Sequence, residues 1–259
     1  MSAGSRLLEL LGMAELRPQN RTLTGSLPRD RPTAARPHRV YVATTNHCNR
    51  SCPWCSTCSS PAGQTWIALD AYAACLARDE PFEVQLEGGE PTLHPHFAEL
   101  VALARAAPAC TRVVVVTNGV VVPREPEALR DWLAALGAPL TLKLSVNHHL
   151  LARDRGLLSL AAALRDALAE LGGERELVLN VRLRPDAPGA DAWVRDAIEA
   201  AELLELANVF HLQAYGFASE REAWERPFVV GTNFTLVNPD GSVHGTDLVG
   251  RSEAMRVLP

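Results

Sequence analysis

Leu140-Thr141-Leu142-Lys143-Leu144-Ser145-Val146-Asn147 alternates without a break. Leucine and valine hold the even positions; a hydroxyl, an amine, a second hydroxyl and a carboxamide hold the odd ones. Side chains alternate faces along a strand, so this segment predicts one apolar face and one polar face. The same period recurs in Leu177–Arg184, where Leu177, Leu179, Val181 and Leu183 alternate with Asn180, Arg182 and Arg184. It recurs in Phe82–Glu87, where Phe82, Val84 and Leu86 alternate with Glu83, Gln85 and Glu87. Strands of an ordinary parallel sheet are continuous apolar runs, because helices cover both faces. Here the apolar face predicts helices and the polar face predicts a lumen. For Asn208–Tyr215 the same rule sends Phe210, Leu212 and Ala214 to the helices and His211, Gln213 and Tyr215 inward.

Strands are expected at Arg39–Thr44, Phe82–Glu87, Arg112–Thr117, Leu140–Asn147, Leu177–Arg184 and Asn208–Tyr215. Helical patterns fall between them at 67–78, 95–107, 125–136, 157–171 and 190–204. Alternating strands and helices make an α/β fold with a parallel sheet and right-handed crossovers. Six such units are too few for a closed eight-stranded barrel, so the expectation is a partial, TIM-like (β/α)6 barrel. Residues 1–38 divide into a short amphipathic helix at 5–16 and an irregular arm carrying Pro18, Pro28, Pro32 and Pro37. Residues 39–219 form the core. Residues 220–259 form a C-terminal cap, opened by a β-hairpin at Asn233–His244 around Pro239-Asp240-Gly241.

Composition narrows the function. No run of eighteen apolar residues occurs, and the N-terminus lacks a basic start and a cleavage site, which predicts a cytoplasmic protein with no membrane partner. The first forty residues hold seven Lys/Arg and three Asp/Glu, whereas the whole chain carries a net charge of −5. The acidic body predicts no nucleic-acid partner. Three of the six cysteines fall within eight residues, which favours metal in a reducing compartment over disulfides.

Those three are Cys48, Cys52 and Cys55, spaced C-x3-C-x2-C. Three thiolates on one loop can hold a four-iron cluster and leave one iron open. About forty residues on stands Glu87-Gly88-Gly89-Glu90-Pro91. Two glycines permit close backbone approach, and a carboxylate can pair with an ammonium. The cysteine spacing, the aromatic Trp54, the GGEP turn and Thr117-Asn118-Gly119 together resemble the radical S-adenosylmethionine (SAM) superfamily from about residue 39 to about 215. The C-terminal hairpin is similar to the first hairpin of SPASM or twitch extensions, but no cysteine follows Cys110, so an auxiliary cluster is not expected.

The resemblance implies the rest. Cys48, Cys52 and Cys55 would bind a [4Fe-4S] cluster. Gly88, Gly89 and Glu90 would hold the amino group of SAM. Ser145 and Asn147 would meet its ribose, and Asn180 and Arg182 its ribose or methionine carboxylate. Reductive cleavage of SAM would yield a 5′-deoxyadenosyl radical that abstracts hydrogen from a small-molecule or peptide substrate. The electron would come from a one-electron reductant such as flavodoxin or ferredoxin. His148, His149, His211 and Tyr215 are the candidate substrate contacts, the histidines being able to move protons. Two alternatives stand beside tailoring of a peptide or natural product. One is a glycyl-radical-enzyme activase. The other is a zinc-binding interaction module, because Cys58 extends the run to four thiols.

Overall fold

The computed structural model describes residues 37–227 and 233–259. The expected helix at 5–16 and most of the 17–38 arm lie outside them. The first six strands are β1 (His38–Thr45), β2 (Phe82–Gly88), β3 (Cys110–Thr117), β4 (Leu140–Val146), β5 (Arg175–Leu183) and β6 (Ala207–His211). Each pairs in parallel with its neighbour in sequence. A seventh strand, β7 (Phe234–Val237), adds in parallel to the free side of β1, giving the order β6-β5-β4-β3-β2-β1-β7. The crossovers carry α1 (Leu69–Leu76), α2 (Phe97–Ala106), α3 (Pro126–Leu136), α4 (His148–Arg153), α5 (Leu157–Leu171) and α6 (Pro188–Ala200). A last helix, α7 (Leu248–Arg256), follows β7. This is the α/β architecture of a partial TIM-like barrel.

The apolar strand face does what its period demands. Val40, Val42, Phe82, Val84, Leu86, Leu140, Leu142, Leu144, Leu177, Leu179 and Val181 form one continuous core with Leu100, Leu133, Leu157 and Leu164 of the helices. Burying each such leucine stabilises the fold by about 1.5–3 kcal/mol. The opposite face is lined by polar groups in register. Paired residues in parallel strands share a face, so Arg39 stands beside Glu83, Tyr41 beside Gln85, Ser145 beside Asn180 and Arg182 beside Phe210. Lys143 is only 2% exposed. Burial without a partner would cost several kcal/mol. Its Nζ donates to Gln85 Oε1 at 2.8 Å, and the Glu87 and Glu83 carboxylates act on it.

Two expectations change. The strand at 208–215 stops at His211, and its faces are the reverse of those its pattern suggested. Phe210 pairs with Arg182 and so faces the lumen, whereas Val209 packs on the helical core. His211 pairs with Leu183, a core residue, and is exposed. It therefore lies on the wrong face to meet a substrate in the lumen. Register against β5 overrode the local alternation, which a one-residue slip inverts. The C-terminal hairpin also does more than cap. His244 N–H donates to Leu236 O and Leu236 N–H to Gly245 O across its turn, but its first arm is β7, part of the main sheet.

Candidate active site at the mouth of the barrel

Both sequence motifs follow the C-terminal ends of adjacent strands, β1 and β2, the end at which parallel barrels build active sites. The cysteine loop begins at the end of β1 and is tied down along its length. Cys48 N–H donates to Ser60 O at 3.0 Å, Phe217 N–H to Cys55 O at 3.0 Å, Thr57 Oγ1 to Gly88 O at 2.9 Å and Ser252 Oγ to Ser56 O at 2.6 Å. Trp54 is buried in a small cluster with Ala218 and Trp224. Its ring lies 4.8 Å from that of His148 and 5.9 Å from that of His149. Both histidines belong to α4, a helix that Asn147 begins by accepting from Leu150 N–H at 2.9 Å.

The GGEP turn is bound to the same loop. Gly89 N–H donates to Thr45 O at 2.7 Å and Glu90 N–H to His47 O at 2.9 Å. A Cβ on Gly89 would fall 1.9 Å from His47 O, and one on Gly88, whose φ is +118°, would fall 2.4 Å from Thr45 O. The two glycines therefore let the β2 turn close onto the cysteine loop, whatever else they approach. Glu90 is fully buried. Its carboxylate accepts from Thr92 Oγ1 (2.6 Å), Thr117 Oγ1 (2.8 Å) and Asn118 N–H (2.7 Å). These bonds give the carboxylate an inward role, locking the ends of β2 and β3 together. Burial raises its pKa, and these donors oppose the rise.

The donor set of the three thiols fits a thiolate-ligated cluster. Burial pushes the thiols of Cys48 and Cys52 up to about 12. Cys48 feels both other thiols, and Cys52 feels Cys55, so the three share one region. Thiols held this high ionise readily only against a metal's positive charge. Polar groups already face the sulfurs. Ser59 N–H donates to Cys55 Sγ at 3.4 Å, and Asn118 Nδ2 lies 3.7 Å from Cys48 Sγ. Hydrogen bonds of this kind tune iron–sulfur centres. Cys58 differs: its backbone sits at φ +50°, and its sulfur packs with Ala43 and Met255 and contacts Ser252 O at 3.6 Å. Among the described residues, no three His, Cys, Asp or Glu side chains close around a point suited to a single metal ion.

Ser145 and Asn180 are register partners on the inner face. Arg182, one inward step further along β5, lies with its guanidinium 3.2 Å from the Phe210 ring centroid. Tyr215 is beyond the end of β6, at the start of the following turn, where it feels Arg182, Glu87 and Arg251 and bonds Ser56. His148 Nδ1 is 3.3 Å from buried Asp191. The pattern-based reading missed Arg251, which reaches Glu87 Oε1 at 2.6 Å from α7, and Asp191, which is 1% exposed. It noted Thr117-Asn118 without a role; their position at the end of β3 was the available signal.

No family model matches the chain. A GTP 3′,8-cyclase of Chlorobaculum tepidum is 36% identical over 94 residues, 35% of this chain and 28% of that protein. A GTP 3′,8-cyclase of Klebsiella pneumoniae is 43% identical over 103 residues, 36% of this chain and 30% of its own length. The chain thus spans under a third of these curated relatives. Among solved structures, SuiB of Streptococcus suis superposes with a TM-score of 0.52 at 12% identity, over 80% of this chain and 59% of that one. That likeness concerns the fold.

Proposed function

We propose that this chain, which belongs to the radical SAM superfamily, is an enzyme that cleaves SAM reductively. It uses the fragment to take a hydrogen atom from a small-molecule or peptide substrate, in tailoring of a peptide or natural product. The observation that carries the reading is the shared placement of three thiols and a glycine turn at the mouth of a polar lumen. Cys48, Cys52 and Cys55 would hold a [4Fe-4S] cluster, and a flavodoxin- or ferredoxin-type protein would reduce it. When bound, that cluster supplies one electron to the sulfonium of SAM, and the broken carbon–sulfur bond provides the hydrogen acceptor.

The chain's own groups do the rest. Ser59 N–H and Asn118 Nδ2 stabilise thiolate charge on Cys55 and Cys48. Trp54, His148 and His149 shield one side of the loop from water, which strengthens electrostatic interactions within it. The Gly88-Gly89 turn, Ser145, Asn180 and the carboxamide nitrogen of Asn147 provide polar contacts for SAM; Asn147 Oδ1 is taken by its helix. Arg182, further along β5, meets the substrate. His148 and Tyr215 can exchange a proton with it, His148 Nδ1 lying 3.3 Å from an Asp191 that Arg184 binds. His211 drops out.

Anaerobic reconstitution with iron and sulfide, followed by dithionite and SAM, tests the reading by chromatography. 5′-Deoxyadenosine should form in wild type and fall to background in Cys52→Ala. A protein that binds stoichiometric zinc and releases no nucleoside would show the zinc-module alternative instead.

A further inference from the structure

The lumen carries an imbalance of charge. Among the described residues, Arg39, Arg182 and Arg251 stand with Lys143 against Glu83 and Glu87, while Glu176 lies at the far end of the same face beside Arg112. Glu83 pairs with Arg39, also faces Arg112 at 3.9 Å, and lies at the end of the strands away from the cysteine loop. At the cysteine end, Glu87 alone stands against Arg251 and Arg182. It accepts from Arg251 Nη1 at 2.6 Å and from Gln85 Nε2 at 2.5 Å. Arg251 is 5% exposed, and Arg182 is half-buried with its guanidinium stacked on Phe210. Arg251 Nη2 and Arg182 Nη1 are both buried and have no hydrogen-bond partner among the described residues. An unmet guanidinium N–H in such a place keeps its desolvation penalty without the bond that would offset it. Tyr215 feels both guanidiniums and Glu87, which brings the four side chains into one neighbourhood.

SAM does not correct this imbalance. Its sulfonium and ammonium outweigh its single carboxylate, so its arrival adds positive charge. A thiolate-ligated cluster offsets that addition at the cysteine loop and leaves the arginines as they were. Arginine's planar fork matches two oxygens of one oxyanion, and the Tyr215 hydroxyl supplies a third donor of the right kind.

We propose that Arg182, Arg251 and Tyr215 form the seat for a carboxylate of the substrate, so that the enzyme acts on an acidic molecule or an acidic side chain. This deepens the proposed function and rests on it. The helix α7 thereby contributes a specificity residue to the barrel, because Arg251 enters the lumen from outside the strand–helix units.

The test uses the reconstituted holoenzyme with SAM bound and isothermal titration calorimetry. The probes are glutarate, inorganic phosphate and the uncharged glutaramide, at matched ionic strength. Wild type should bind glutarate saturably and glutaramide not at all. Arg251→Gln should weaken glutarate by about tenfold, the worth of one charge-assisted bond, and leave SAM affinity within about twofold. Glu87→Gln, which removes the competing carboxylate, should tighten glutarate. That opposite sign separates the site's chemistry from a folding defect, which would weaken both variants. Phosphate binding more tightly than glutarate would overturn the carboxylate assignment in favour of a phosphorylated substrate. Equal binding of glutaramide and glutarate, no change in Arg251→Gln, or an equal loss of SAM affinity in that variant would overturn the site. These readouts need no turnover, so a failure to cleave SAM would sink the broader reading while leaving this one decided separately.

Discussion

The two faces of one sheet answer to different rules. Leu144 and Ser145 are neighbours on β4, yet Leu144 is sealed among helices and Ser145 lines the lumen beside Asn180. The outer face is redundant: many leucines share one task, and any one can be damaged without changing what the protein does. The inner face is sparse. It buries charges at a cost, leaves guanidinium N–H groups unmet among the described residues, and ends at a cysteine loop where burial keeps Cys48 and Cys52 protonated. Expensive polar burial on one side of a well-packed sheet marks that side as the working one.

Five changes break or sharpen that contrast. The largest concerns the mouth of the lumen: Cys52→Ser should abolish cluster binding, measured as iron content and visible absorbance, with little change in the unfolding midpoint of the unreconstituted protein. Cys58→Ala should retain the cluster, because that sulfur points toward Ser252 and Met255. On the outer face, Leu144→Ala should destabilise by about 2–5 kcal/mol in urea unfolding and leave SAM affinity nearly intact in the folded fraction. Its neighbour reverses the pattern. Ser145→Ala should stay within about 0.5 kcal/mol in stability but lose several-fold in SAM affinity by equilibrium dialysis, about 1 kcal/mol for one hydrogen bond. The smallest effect is one of pH. Burial, with Arg184 nearby, lowers the pKa of His148 below 6.5, Asp191 opposing. The unfolded chain therefore takes up this proton first. Stability should be flat above pH 6.5 and decline as pH falls from there through the lowered folded value, and His148→Gln should flatten that part of the curve.

The outer face was legible because its signal is local. Alternation in Leu140–Val146 and Phe82–Glu87 set their faces, and the intervening helices other than the short α4 fall where 3.6-residue periodicity placed them. The errors arise where distant pairing decides. At β6, Phe210 and His211 exchange faces because β5 sets the register. The addition of β7 to β1 joins segments nearly two hundred residues apart, which no local pattern encodes. Helix α7 carries a weak apolar stripe, with Arg251 and Ser252 buried on it, so neither the helix nor its lumen residue had a signature. The loops that carry the thiols and glycines were legible, whereas the partners of the carboxylates were not. Whether Glu90 faces a ligand or its own backbone depends on Thr92, Thr117 and Asn118, which approach it only in the folded chain.

The central claim is that the three thiols hold a cluster open to SAM. Electron paramagnetic resonance of the anaerobically reconstituted, dithionite-reduced protein tests it most directly. The account predicts a reduced [4Fe-4S] signal whose g values shift when SAM is added, and which disappears in Cys52→Ser. A reduced signal indifferent to SAM, or a protein that takes up zinc and gives no signal, would contradict it.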